Sequence, residues 1–177
     1  MKKICFHIQK GGVGKTSISG NIADIIAKNG HKTILIDCDP QGNSSSWFCR
    51  EELNYDIADV LSGQVEAEKV IQALAENFFI LPVIAIGGSL KKWSETELLQ
   101  SPRAFEFLIN DIETLGFEYA VLDCSPSFSQ LERAVIAASD EVINPLSPEF
   151  FSVDGIEIFT DELKKIEKAN RRQIKNN

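Results

Sequence analysis

A three-layer α/β fold, with a mostly parallel sheet between two layers of helices, is predicted by two observations. Short β-branched runs alternate along the chain with segments patterned at helical spacing. Those runs are apolar on both faces, as parallel strands covered by helices must be. The 177 residues fit one core, since domains commonly run to about 100–150 residues, so 1–177 is expected to form a single domain.

The expected strands are residues 3–8, 33–37, 79–84, 119–123 and 141–146. Between the first two, Ile18, Ile22, Ile25 and Ile26 recur at helical spacing and Asn29-Gly30 supplies a stop, which makes a βαβ unit. Ser101-Pro102 reads as an N-cap followed by proline in the first turn, ahead of Phe105, Leu108, Ile109 and Ile112 on one side. A third helix is expected at about 130–138. A last one, from about 152, sets Ile156, Phe159, Leu163 and Ile166 on one stripe. No internal repeat or low-complexity linker interrupts the pattern.

Composition narrows the function classes. A net charge of −8 weighs against a nucleic-acid binder held by global charge and leaves a local basic patch open. The start MKKICFHIQKGG has basic and then apolar residues, but His7 and Gln9 break the run before a glycine loop, unlike a signal peptide. No stretch approaches the ~20 apolar residues of a membrane span, so a cytoplasmic protein without a membrane partner is expected. Cys5, Cys38, Cys49 and Cys124 show no CxxC spacing and are expected to be buried, reduced thiols.

The stretch QKGGVGKTS, residues 9–17, follows the first strand and opens the first helix. A dinucleotide fingerprint starting at Gly12 would use Asp37 as its ribose acid, but Ser17 stands at its third glycine and Lys15-Thr16 has no role in it. A phosphate cradle uses every residue. Gly11, Gly12 and Gly14, with Val13 among them, present backbone N–H groups. Lys15 reaches the β/γ-phosphates, and the Thr16 hydroxyl meets Mg²⁺ where the helix begins, with Ser17 in the same turn. The general pattern wants glycine at position 9, where Gln9 stands, and a second lysine occupies position 10.

The string KGGVGKT, Lys10 to Thr16, resembles the deviant phosphate loop of the ParA/MinD family of ATPases. The resemblance implies ATP and Mg²⁺ as cofactors, a homodimer formed with ATP, and a Lys10 that crosses the dimer to the partner subunit's nucleotide. Lys10 would there act as an arginine finger does. DCDPQGN, residues 37–43, resembles the first switch of ParA-type partition ATPases, which implies that Asp39 orients the attacking water and Asp37 helps arrange the metal shell. Solvated turn residues beside Pro40 are the alternative for both acids. YAVLDCSPS resembles a Walker B strand and second switch, with Asp123 holding Mg²⁺ through water. Ser125-Pro126 stands where the family usually shows two prolines, so a looser second switch is expected. NPLSPEFFSVDGI resembles the strand and loop near the base, where Pro148 and Glu149 are either adenine-pocket residues or structural turn residues.

The similarity covers nearly the whole chain, with SGQVEAEKVI and ELLQSPRAFEFL in looser form, and stops at Asn177, where family members commonly continue. A naturally short member and a truncated one are both open. The resemblance implies an ATP-driven dimerisation switch with weak, slow ATPase activity that positions plasmid, chromosome or other cargo, with a ParB-like or cargo adaptor protein as partner. A nucleotide-binding regulator without turnover and a small-substrate ATP-dependent enzyme are the alternatives; Lys10 and DPQGN favour the switch. Non-specific DNA enters through Lys164, Lys165, Lys168, Arg171, Arg172 and Lys175, which share one side of a helical projection. The same distribution, acids in the first turns and bases in the last, suits any solvated helix.

Overall fold

The computed structural model describes residues 1–50, 52–146 and 153–177, with the side chains of 153–157 outside that description. Among the described residues, one seven-stranded sheet runs from edge to edge as β3 (Gln72–Ala75), β4 (Phe78–Leu81), β2 (Thr33–Cys38), β5 (Tyr119–Cys124), β1 (Lys2–Phe6), β6 (Glu141–Ile143) and β7 (Lys175–Asn176). All pairings are parallel except β3 with β4. The helices are α1 (Lys15–Lys28), α2 (Asn43–Phe48), α3 (Ile57–Leu61), α4 (Ser89–Thr96), α5 (Ala104–Thr114), α6 (Gln130–Ala138) and α7 (Val153–Asn170). The three-layer expectation therefore holds.

Period-two alternation sorts the central strands onto two cores. Phe6, Leu35, Ile80 and Val121 face α1 and pack with its Ala23 and Ala27. Cys5, Ile34, Ile36, Ala120 and Leu122 face the other way, with Phe105, Ile109 and Ile112 of α5, Leu131 and Val135 of α6, and Phe159 and Leu163 of α7. Full burial of each large aliphatic or aromatic chain contributes about 1.5–3 kcal/mol, so both layers are anchored. Continuing the same alternation places Asp37 and Asp123 on the α1 face, at the carboxyl ends of neighbouring strands.

Several boundaries differ from the expectation. β1 ends at Phe6, because the chain then turns into the glycine loop, although the His7 amide still donates to Ile143 O at 3.1 Å. β4 ends at Leu81 because Pro82 follows and has no N–H to continue a ladder, and β6 ends at Ile143. Ser101 does not cap α5; its own amide donates back to Glu97 O at 3.0 Å, and Arg103 occupies the N-cap without a side-chain bond. Of the cysteines, Cys49 is half-buried rather than buried, and all four are free thiols.

The basic strip is also corrected. α7 stops at Asn170, and Arg171 adopts a left-handed φ of 51°, so Arg171, Arg172 and Lys175 do not continue the helical projection. Arg172 turns to Asp140, Lys175 to Glu141, Lys164 to Asp161 and Lys165 to Glu162. Much of the positive charge on that face is thus matched by neighbouring carboxylates.

Candidate nucleotide-binding site

The loop between β1 and α1 is shaped by two left-handed glycines, Gly12 at φ 75° and Gly14 at φ 83°. A β-carbon added at Gly11 or Gly12 would meet nothing within 4 Å, so both backbones border open space. Gly14 is the N-cap of α1 and offers no side-chain bond, which leaves the first-turn amides of the helix without a capping acceptor. Lys15, the first helical residue, is 7% exposed and its Nζ donates to Lys10 O at 2.7 Å. Burial pulls its ammonium below the ordinary lysine value, against the opposing charges of Asp123 and Asp39. The lysine is therefore folded over its own loop with two acids nearby.

Asp39 and Asp123 approach this lysine, Asp37 stands next to Asp123, and all three are buried. Asp37 and Asp123 are register neighbours on β2 and β5. Asp37 Oδ2 accepts from the Ser45 amide at 2.8 Å and the Ser45 hydroxyl at 2.7 Å, while Oδ1 accepts from the Asp39 amide at 3.1 Å. Burial nevertheless pushes its carboxyl up to about 7. Asp39 accepts from the Gln41 amide at 2.9 Å and Asn43 Nδ2 at 3.3 Å.

Asp123 Oδ2 accepts from Ser44 Oγ at 2.7 Å. The Thr16 and Ser19 hydroxyls bring their dipoles to the same carboxylate, yet Oδ1, shielded from solvent, has no hydrogen-bond partner among the described residues. Burial raises the Asp123 pKa above the ordinary carboxylate value. A buried carboxylate oxygen lacking a partner costs free energy unless a ligand completes it. An oxygen donor set beside an open glycine cradle and a helix start suits a hydrated magnesium ion together with phosphate groups.

The structure thus brings together Gly11, Gly12, Val13, Gly14, Lys15, Thr16, Ser17, Asp37, Asp39 and Asp123, with Lys10 at the rim. Pro148 and Glu149 lie outside the described residues. Sequence reasoning missed Ser44 and Ser45, for which the only signal is a serine run directly after DPQGN. It also missed the second-switch clamp, in which Ser125 Oγ donates to Glu132 Oε1 at 2.5 Å and Ser129 Oγ to Oε2 at 2.6 Å. The spacing S-x-x-E at Ser129–Glu132 is a capping-box signature and was legible. His7, fully buried against the rings of Phe128 and Phe159, carried no signal beyond its place in an apolar run.

A parallel strand, a glycine loop, a helix and acids at the ends of adjacent strands define a P-loop nucleotide fold. The family model that matches the chain describes an AAA domain and covers residues 1–176. The uncharacterized protein BBD21 of Borreliella burgdorferi is 45% identical over 177 residues, 99% of this chain and 71% of that protein. The sporulation initiation inhibitor protein Soj of Bacillus subtilis is 30% identical over 173 residues, 94% of this chain and 66% of that protein. A cobyrinic acid a,c-diamide synthase from Mycobacterium smegmatis, solved with bound ADP and magnesium, has a TM-score of 0.89 at 24% identity over 99% of this chain and 72% of that one, a likeness of fold alone. This chain belongs to the AAA-domain family of P-loop ATPases, in its ParA/Soj partition type.

Proposed function

We propose that residues 1–177 work as one ATPase domain of a ParA-like dimerisation switch that binds ATP with Mg²⁺, hydrolyses it slowly and positions DNA or another cargo. The observation that carries the reading is the convergence of a buried Lys15 and the unpartnered Asp123 Oδ1 on a glycine loop that also contains Lys10.

In this reading the amides of residues 11–17 bind the phosphates, and Lys15 exchanges its bond to Lys10 O for phosphate oxygens. Thr16 and Asp123 hold the metal, with Asp37 bracing its shell. Bound Mg²⁺ would supply positive charge against the charge that develops on the transferred phosphoryl group. Asp39 orients the attacking water, fixed by Gln41 and Asn43. None of these groups is a strong base, so turnover is slow. Lys10 serves the nucleotide of a second copy. Pro148 and Glu149 are kept as adenine-side residues, and a ParB-like or cargo adaptor protein as the activating partner.

The test is light scattering with a slowly hydrolysed ATP analogue. The parent is expected to dimerise, and Lys10→Ala to bind nucleotide as a monomer. A parent that remains monomeric at high concentration contradicts the switch. DNA binding without sequence preference is expected of the ATP form alone, read by fluorescence anisotropy at low salt. Its absence in a protein that dimerises would redirect the assignment to a protein cargo.

A further inference from the structure

We infer that Ser44 is a positioning residue for the metal carboxylate: it holds Asp123 by Oδ2, so that Oδ1 stays directed to the magnesium shell, and thereby ties the first switch to the metal. The inference deepens the phosphate-loop reading and rests on it.

Gly42 starts the construction. Its φ is 62°, and a β-carbon there would lie 3.2 Å from Val83 O and 3.3 Å from Ala85 Cβ, so the chain passes tightly against the segment after β4 before α2 begins. Successive residues of a helix point about 100° apart. On α2 this sends Ser44 to Asp123 on β5 and Ser45 to Asp37 on β2, both serines buried. Ser45 is further committed, since its hydroxyl accepts the Val83 amide at 2.7 Å. The Ser44 hydroxyl, by contrast, has Asp123 as its one hydrogen-bond partner among the described residues, at 2.7 Å.

The two acids stand side by side on adjacent strands, where ionised neighbours repel. A hydroxyl donated to one oxygen of Asp123 fixes the rotation of the carboxylate. Upstream, Asp39 O accepts the Gly42 amide at 2.8 Å and the Asp39 carboxylate accepts Asn43 Nδ2. A continuous set of bonds therefore runs from the acid assigned to the water, through the start of α2, to the acid assigned to the metal. Removing the Ser44 hydroxyl leaves the phosphate contacts of the glycine loop in place and loosens only the metal carboxylate.

The experiment is calorimetric titration of ADP with Mg²⁺ and again in EDTA, for the parent, Ser44→Ala, the near-isosteric Ser44→Cys, and Ser46→Ala as a control on the exposed side of α2. The quantity read is the gain in nucleotide affinity that Mg²⁺ provides. Ser44→Ala is expected to lose about tenfold of that gain, the effect typical of a residue that supports a metal ligand, with its EDTA affinity near parental. Ser44→Cys, a weaker donor, should fall between, and it carries the measurement if the alanine variant does not fold. Ser46→Ala should match the parent. An unchanged gain in Ser44→Ala, or equal losses with and without metal, overturns the inference by assigning Ser44 to packing alone. A parent that gains nothing from Mg²⁺ fails the underlying reading, and this inference with it.

Discussion

The two ends of this molecule handle charge in opposite ways. At the carboxyl ends of β1, β2 and β5, Lys15 is buried with Asp39 and Asp123 acting on it and Asp37 beside Asp123, and one carboxylate oxygen has no partner among the described residues. Around the end of α7, lysines and arginines are largely exposed and meet acids one turn away or on the adjacent strand. Buried charge without a complete set of partners stores binding capacity, because a ligand repays desolvation already incurred. Exposed charge matched by its neighbours is close to equilibrium with water, and little is gained by touching it.

The contrast breaks most directly at Lys15. Lys15→Ala is expected to weaken ATP binding on the order of 100-fold, since it removes the buried cation that faces the phosphates; calorimetry that finds parental affinity would dissolve the distinction. Next comes His7, whose burial lowers its pKa from 6.5 to about 4, with Lys15 assisting and Glu132 opposing. Folded protein refuses the proton that unfolded chain accepts, so the stability is fully present above pH 6.5 and is lost as pH falls towards 4. At about 1.4 kcal/mol per pH unit the His7 contribution lost approaches ~3 kcal/mol. Because Asp37, raised to about 7, changes stability in the opposite sense over the same window, the loss is read as the difference between parent and His7→Gln in urea unfolding at pH 7 and pH 4.

Gly42→Ala should cost about 1–3 kcal/mol by the same method, from left-handed strain and the contact with Val83 O. A cost near zero would mean that the first switch is not pinned as described. The smallest effects belong to the other end. Lys164→Ala should change stability by less than about 1 kcal/mol, as exposed pairs do. Reversing the exposed Lys168 and Arg171 sharpens the comparison further: if α7 contacts DNA, affinity should fall alike for all sequences and its salt dependence should flatten. Arg172 is unsuited to that test because its reversal would also set a carboxylate against Asp140, its partner in the fold.

The glycine loop, α1, the central strands and the positions of Asp37, Asp39 and Asp123 were legible because each rests on local pattern. Period two decides which face an acid takes, and glycine-lysine spacing decides where the loop lies. The edge strands β3 and β7 were not legible: the first, Gln-Ala-Leu-Ala, is a short antiparallel strand with a register shift and no β-branched or aromatic residue, and the second is two polar residues, so neither carries the β-branched run that marks the central strands. The Ser44–Asp123 bond joins residues separated by 79 positions, and no short window contains it. The end of α7 escaped notice because Asn170-Arg171 lacks the glycine that usually marks a left-handed stop.

The sheet order has a kinetic meaning. Cys5 and Cys124, 119 positions apart, touch at 3.4 Å, and β2, β3 and β4 all lie in sequence between the paired strands β1 and β5. Long-range parallel pairing is slow, because loop-closure entropy must be overcome before any contact compensates for it. The site is assembled from the ends of those same strands, so no early, locally formed fragment of the chain contains it. A bound ligand would therefore select the fully assembled sheet and stabilise it by mass action. Nucleotide should leave the refolding rate near that of the free protein and slow unfolding, because it binds only after the strand ends have met.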